Sequence, residues 1–132
     1  MGAVSVLLDT HALIWALSDP GRLGESAEEL LSSPSTRLFV SAATAWELAT
    51  KVRLGNLPDA MTWLPTYPHQ LARLGTTELA ITAEHALLAG SLEWAHRDPF
   101  DRMLAAQALV EGLPLVTRDP AFRGLSGLRT IW

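Results

Sequence analysis

Four carboxylates are spaced along this chain where an α/β fold could gather them around a cation. Asp9 closes the apolar run Val4-Ser5-Val6-Leu7-Leu8, and Glu47 lies within Ala42-Ala43-Thr44-Ala45-Trp46-Glu47-Leu48. Asp101 ends Asp98-Pro99-Phe100-Asp101, and Asp119 follows Leu115-Val116-Thr117-Arg118. Clustered acids repel one another and hold their protons more tightly than isolated ones. Hard divalent cations such as Mg²⁺ and Mn²⁺ prefer carboxylate and water oxygens and relieve that repulsion. The set reads as a metal site able to activate water and to neutralise charge on a phosphate.

Each acid also has a plain structural role. Asp9 or Thr10 can cap a helix that starts near His11. Glu47 has Lys51 four residues on, a spacing that stabilises an exposed helix by roughly 0.2–0.5 kcal/mol. Its neighbours Ala42, Ala43, Ala45, Trp46, Leu48, Ala49 and Val52 make the helix apolar on most sides, and a carboxylate buried there needs a partner. In Asp98-Pro99-Phe100-Asp101 the outer residues and the proline read as N-cap, N3 and N1, so Asp98 is the helix cap and Asp101 is free to ligate. Asp119 before Pro120 suits a turn as well as a site.

Other chemistries lack their residues. The chain has no cysteine, which removes disulfides, thiolate zinc sites and cysteine nucleophiles and fits a reducing cytoplasm. His11, His69, His85 and His96 show no paired ligand spacing and read as packing or surface. No phosphate-binding P-loop, dinucleotide fingerprint or serine-hydrolase elbow is present. An aspartyl-phosphate route through Asp9 would want a second aspartate two residues on, where His11 stands. Met1 to Leu8 lacks the charged start of a signal peptide, and no apolar run approaches the roughly 18 residues of a bilayer span.

The net charge of −4 argues against broad nonspecific binding to nucleic acid. Setting aside the four candidate acids leaves ten acidic residues against ten basic ones, so the remainder is neutral. Nearly all the basic residues are arginines, whose guanidinium forks suit phosphate oxygens. Arg97, Arg102, Arg118 and Arg123 fall near the two downstream aspartates, and Arg102 or Arg118 is placed to hold a neighbouring phosphate.

At 132 residues and 48% hydrophobic content the chain is expected to form one domain, residues 1–132. Strand-length runs at Val4 to Leu8, Leu38 to Val40 and Leu115 to Thr117, with a last one at Arg129 to Trp132, alternate with helical patterns. The helices are predicted at His11 to Leu17, Glu25 to Leu31, Ala42 to Leu54, Asp59 to Arg73, Ala83 to Leu92 and Pro99 to Glu111. This is the βαβ pattern of a mainly parallel sheet between helices. Ligands of such sheets bind beyond the carboxyl ends of the strands, where Asp9 and Asp119 lie.

In order and spacing, several segments of this chain resemble PIN-domain proteins, most closely the VapC-type ribonuclease toxins of bacterial toxin–antitoxin pairs. They are Leu7-Leu8-Asp9-Thr10-His11-Ala12-Leu13-Ile14-Trp15, Ser41 to Leu48 with Lys51, His96 to Ala108, and Leu115-Val116-Thr117-Arg118-Asp119. Ser91-Leu92-Glu93-Trp94 departs from the Leu-Pro turn that related chains often carry. The resemblance implies a PIN-like α/β/α sandwich with a mainly parallel central sheet. It implies a site of Asp9, Glu47, Asp101 and Asp119 that is catalytic and metal-binding, with Mg²⁺ or Mn²⁺ as cofactor and Thr10 and Thr117 as supporting hydroxyls. The activity implied is endonucleolytic hydrolysis of RNA by a toxin held in check by a cognate VapB-like antitoxin, the toxin itself pairing as a homodimer. The alternative is a catalytically silent module that keeps the fold and binds partners. Trp46, Leu54, Leu57, Trp63 and Leu64 could line a groove for an amphipathic antitoxin helix. Trp46 is expected to pack in the core, and Trp63, bracketed by Pro58 and Pro65, to face the partner.

Overall fold

Alternation of apolar runs with helical segments is realised as a five-stranded, wholly parallel sheet with helices on both faces. The computed structural model describes residues 4–132, so the start of the Met1 to Leu8 segment lies outside the described residues. The strands are β1 (Val4–Leu8), β2 (Thr36–Ser41), β3 (Thr76–Leu79), β4 (Leu115–Val116) and β5 (Thr130–Ile131), in the order β3-β2-β1-β4-β5. The helices are α1 (Thr10–Ser18), α2 (Glu25–Ser32), α3 (Ala42–Arg53), α4 (Pro58–Met61), α5 (Tyr67–Leu74), α6 (Ala83–Ser91) and α7 (Pro99–Glu111). None among the described residues is long and apolar enough to cross a membrane.

The period of two along β1 divides the core between the faces of the sheet. Val6 and Leu8 point to one side with Leu38, Val40 and Val116, where α1, Leu48 of α3, Ala60, Trp63 and Leu71 cover them. Leu7 points to the other with Leu115, against Leu104, Ala105 and Ala108 of α7 and against Phe122 and Leu125. Strands covered on both faces read as continuous apolar runs, which is why β1 and β4 stood out in the sequence.

The sheet positions the site through its order. β2 and β3 build outward from one side of β1, while β4 and β5 build from the other. A parallel sheet opens a crevice at such a reversal, beyond the strand ends. Leu7 pairs with Leu115 and Leu8 with Val116, so the next residues, Asp9 and Thr117, emerge side by side at this edge. β2 ends at Ser41, whose side chain accepts the Ala43 N–H at 3.0 Å and starts the helix carrying Glu47.

Three expectations are corrected. The helix expected over Asp59 to Arg73 is broken into α4, a 3₁₀ turn at Leu64–Thr66, and α5. Pro58, Pro65 and Pro68 each sit in the first two positions of one of these pieces, where the missing N–H does no harm but a continuing helix could not form. β3 was not anticipated: Thr-Thr-Glu-Leu is short and polar, as an edge strand exposed to solvent should be. The tryptophans exchange roles. Trp46 is 61% exposed and meets the Phe100 ring edge-on, whereas Trp63 is 8% exposed and donates its indole N–H to Ser18 Oγ at 2.9 Å. Trp63 therefore belongs to the core and cannot face a partner. Helical periodicity places a residue on a face but does not say which face a neighbouring helix covers.

Candidate active site

Asp9 is set by the end of β1 and the start of α1. Its Oδ1 accepts the Ala12 N–H at 2.7 Å, so the capping role read from the sequence holds. The residue is 7% exposed. Burial pushes its carboxyl up from the usual range to about 6; the Thr117 hydroxyl and the Ala12 N–H pull it down, and Glu47 and Asp119 push it further up. The cap uses one of the two carboxylate oxygens and leaves Asp9 on the cavity wall.

Glu47 projects from the buried side of α3 and is 4% exposed. Thr10 Oγ1 donates to its Oε1 and the Lys51 ammonium to its Oε2. The Glu47–Lys51 pair anticipated as a helix-surface contact is thus present, but it lies inside the site. Burial works against the charge on Lys51, yet the bond and attraction to Glu47 outweigh it and raise its pKa.

The first turn of α7 supplies two aspartates with divided tasks. Asp98 caps the helix, its Oδ1 accepting the N–H groups of Phe100 at 2.9 Å and Asp101 at 3.0 Å. Asp101 is freed for the cavity, where its Oδ2 meets His96 Nε2 at 2.7 Å. Burial raises the Asp101 carboxyl to about 6; His96 opposes the rise, while Asp98 and Glu47 add to it. Asp119 stands exposed beyond β4 and caps the turn at Pro120–Gly124 by accepting the Ala121 N–H at 2.9 Å. Its own N–H donates to Thr117 Oγ1 at 3.1 Å.

These side chains face one cavity. Asp9, Glu47, Asp101 and Asp119 line one cavity of about 300 Å³, together with Thr10, His11, Lys51, His96, Asp98 and Phe122. The histidines at positions 11 and 96, expected to be packing or surface, belong to the site wall. Their signal was sequence proximity to the acids, which ligand-spacing templates do not register. Arg102 is not available to a phosphate: its guanidinium donates to the carbonyls of Ala89, Leu92, Trp94 and His96 and fastens the Ser91 to His96 loop to α7.

As the side chains stand, no three acids or histidines among the described residues converge closely enough to hold a metal ion. Glu47 is occupied by Thr10 and Lys51, and Asp101 by His96. The donor chemistry nevertheless fits a hard cation. The acids contribute oxygens, and two of them carry pKa values near 6 because burial leaves their charge poorly compensated. Turning Glu47 from Lys51 and Asp101 from His96 would free oxygens on both residues.

The sequence pattern of the PIN domain family matches residues 6–128. Ribonuclease VapC22 of Mycobacterium tuberculosis is 29% identical, the match covering 97% of this chain and 98% of that protein. Among solved structures, a DNA-bound VapBC from Salmonella typhimurium superimposes with a TM-score of 0.69 at 24% identity, covering 97% of each chain. VapBC2 from Rickettsia felis, bound to a DNA fragment from its promoter, gives 0.69 at 16% identity over 97% of this chain and 98% of that one. A toxin–antitoxin complex from Klebsiella pneumoniae gives 0.67 at 20% identity over 96% of each. The fold is theirs, the sequence pattern spans nearly all of it, and the chain belongs to the PIN-domain family.

Proposed function

We propose that this chain is an endoribonuclease that hydrolyses RNA phosphodiesters with Mg²⁺ or Mn²⁺ and acts as the toxin of a toxin–antitoxin pair. The observation that carries the reading is the convergence of Asp9, Glu47, Asp101 and Asp119 on one cavity at the sheet reversal. Its similarity to a ribonuclease of the VapC type and to toxin–antitoxin complexes supports the same conclusion. A bound divalent ion supplies charge neutralisation at the phosphate and a more acidic water.

The chain's own groups divide the remaining work. Asp9, Glu47 and Asp101 hold the ion, Asp9 fixed by its cap and Asp101 delivered by the α7 turn. Asp119, at the open side, orients the attacking water. Thr10 and Thr117 hold the carboxylates in place through their hydroxyls. Lys51 pairs with the buried Glu47 and carries positive charge to the cavity wall.

A cytoplasmic nuclease of this kind needs a partner that masks it, and we assign that role to a small cognate antitoxin, with homodimers of the toxin as the assembling unit. Incubating the purified chain with a panel of single-stranded and structured RNAs tests the activity. Cleavage should require Mg²⁺ or Mn²⁺, stop with a chelator and disappear in a folded Asp101→Ala variant. Cleavage at the wild-type rate by that variant would sink the assignment, and a wild type that cuts none of the RNAs would favour the silent partner-binding module.

A further inference from the structure

We propose that Arg118 and Arg22, mounted on Trp15 beside His11, form a track that grips the phosphates of single-stranded RNA as the strand leaves the acidic cavity. The inference rests on the ribonuclease reading above and adds a path and a direction to it.

Trp15 is a rigid base for such a track. Its indole is 8% exposed and packs edge-on against Trp132 at 5.5 Å between centroids. Two guanidiniums from separate segments lie over that ring: Arg22, from the 3₁₀ turn after α1, at 4.7 Å, and Arg118, from the loop after β4, at 5.2 Å. The distances put the two cationic carbons roughly 10 Å apart at most. Stacking on an aromatic face orients a guanidinium while leaving its N–H edge free, so little rotamer freedom remains to be lost on binding. Neither side chain has a carboxylate partner or a hydrogen bond among the described residues. Arg102, by contrast, spends its donors on four backbone carbonyls. Two oriented, unpaired forks are what a phosphate-binding surface offers.

The surface is continuous with the site. A cavity of about 290 Å³ lined by Asp9, His11, Trp15, Arg118, Asp119 and Pro120 opens directly from the acids. A second, of about 240 Å³, shares His11 and Trp15 and reaches Arg22 and Asn56, with the carboxylate of Asp59 also on its wall. The path runs from Asp9 and Asp119 past Arg118 to Arg22. The exposed ring of His11, 5.5 Å from Trp15, stands at the junction where an unstacked base could lie. A net-negative protein with four acids at its reaction centre must offset their repulsion of a polyanion locally, and this shelf does so. An acidic peptide would meet the same guanidiniums, but a nucleic-acid backbone threaded through the acidic cavity has to leave it along a groove that begins there.

The test is RNA binding by fluorescence anisotropy in an Asp101→Asn background, with a gel confirming that the oligonucleotide stays intact, at several KCl concentrations. Adding Arg118→Gln or Arg22→Gln should each weaken binding about tenfold, the loss of one charge-assisted contact. Each should also reduce the slope of log affinity against log salt by about 0.7, the value for one single-strand phosphate. Arg118→Lys should keep the slope while recovering only part of the affinity, which separates charge from any effect on folding. Arg73→Gln, on α5 away from the groove, should change neither. Equal affinity and slope in the background and both Gln variants would overturn the track. Unchanged RNA binding combined with weaker retention of a polyglutamate peptide would make the shelf a protein-docking face and overturn it as well. If neither the background nor wild type binds or cuts RNA, the ribonuclease reading fails and takes the track with it.

Discussion

Replacing Asp9 with Asn should make the metal-free protein more stable at neutral pH. Asp9 titrates near 6 in the folded chain against 3.8 in its ordinary state, because burial penalises its charge. A raised folded pKa contributes stability that is present in full below about 3.8 and is lost as pH rises through about 6. Roughly two pKa units at 1.36 kcal/mol each give about 3 kcal/mol lost by pH 7.5. At 7% exposure the residue is too buried for solvent to discount that figure much. Asn removes the charge and can still accept the Ala12 N–H, since Asn and Asp cap helices about equally well. In a chelating buffer at pH 7.5 the variant should therefore melt up to about 10 °C above wild type for a domain of this size, and the gap should close toward pH 4. Millimolar Mg²⁺ should raise the melting temperature of wild type and leave that of the variant nearly unchanged, because an ion stabilises only the state that binds it. Calorimetric scans across pH with and without metal are the assay. A metal-free variant no more stable than wild type at pH 7.5 would show that Asp9 carries no electrostatic penalty and no reason to recruit a cation.

Trp63→Ala should cost about 3–5 kcal/mol in urea unfolding, as removal of a buried indole does, and leave Ser18 without its donor. Trp46→Ala should cost less than about 1.5 kcal/mol, since the ring is largely solvated and loses one edge-on contact with Phe100. Equal losses at the two positions would contradict the burial described above. Gly24→Ala should destabilise by about 2 kcal/mol or more, because a Cβ there would lie 2.3 Å from the Trp132 carbonyl oxygen that accepts the Ala27 N–H; an unchanged urea midpoint would show that the C-terminal segment is not held against α2.

Much of the fold was legible because its signals are local. Val6 to Leu8 and Leu115 to Val116 are covered on both faces and read as unbroken apolar runs. Asp98-Pro99 and Gly112 mark the two ends of α7, the glycine at φ 66° where a side chain would be strained. Strand ends and a helix start bring Asp9, Asp119 and Asp101 to one cavity, and Glu47 reaches it from the buried side of α3. What could not be read depends on which surfaces meet. Nothing local distinguishes Trp46 on α3 from Trp63, and only the packing of α1 and α4 against one face of the sheet buries the second. Arg102 looked like a free cation until four carbonyls of a folded loop surrounded it. His96 entered the site because that loop returns it to Asp101, a contact governed by the Arg102 clamp and not by any spacing rule.

The central claim is that Asp9 and Asp101, brought together from β1 and α7, share one divalent ion. Titrating Mn²⁺ calorimetrically into wild type, Asp9→Asn and Asp101→Asn, each first shown to be folded, tests it most directly. Saturable binding to wild type that is weakened at least about tenfold in both variants is the predicted result, in line with the loss of a charged ligand from an oxygen-donor site. Equal Mn²⁺ affinity in all three proteins would contradict it.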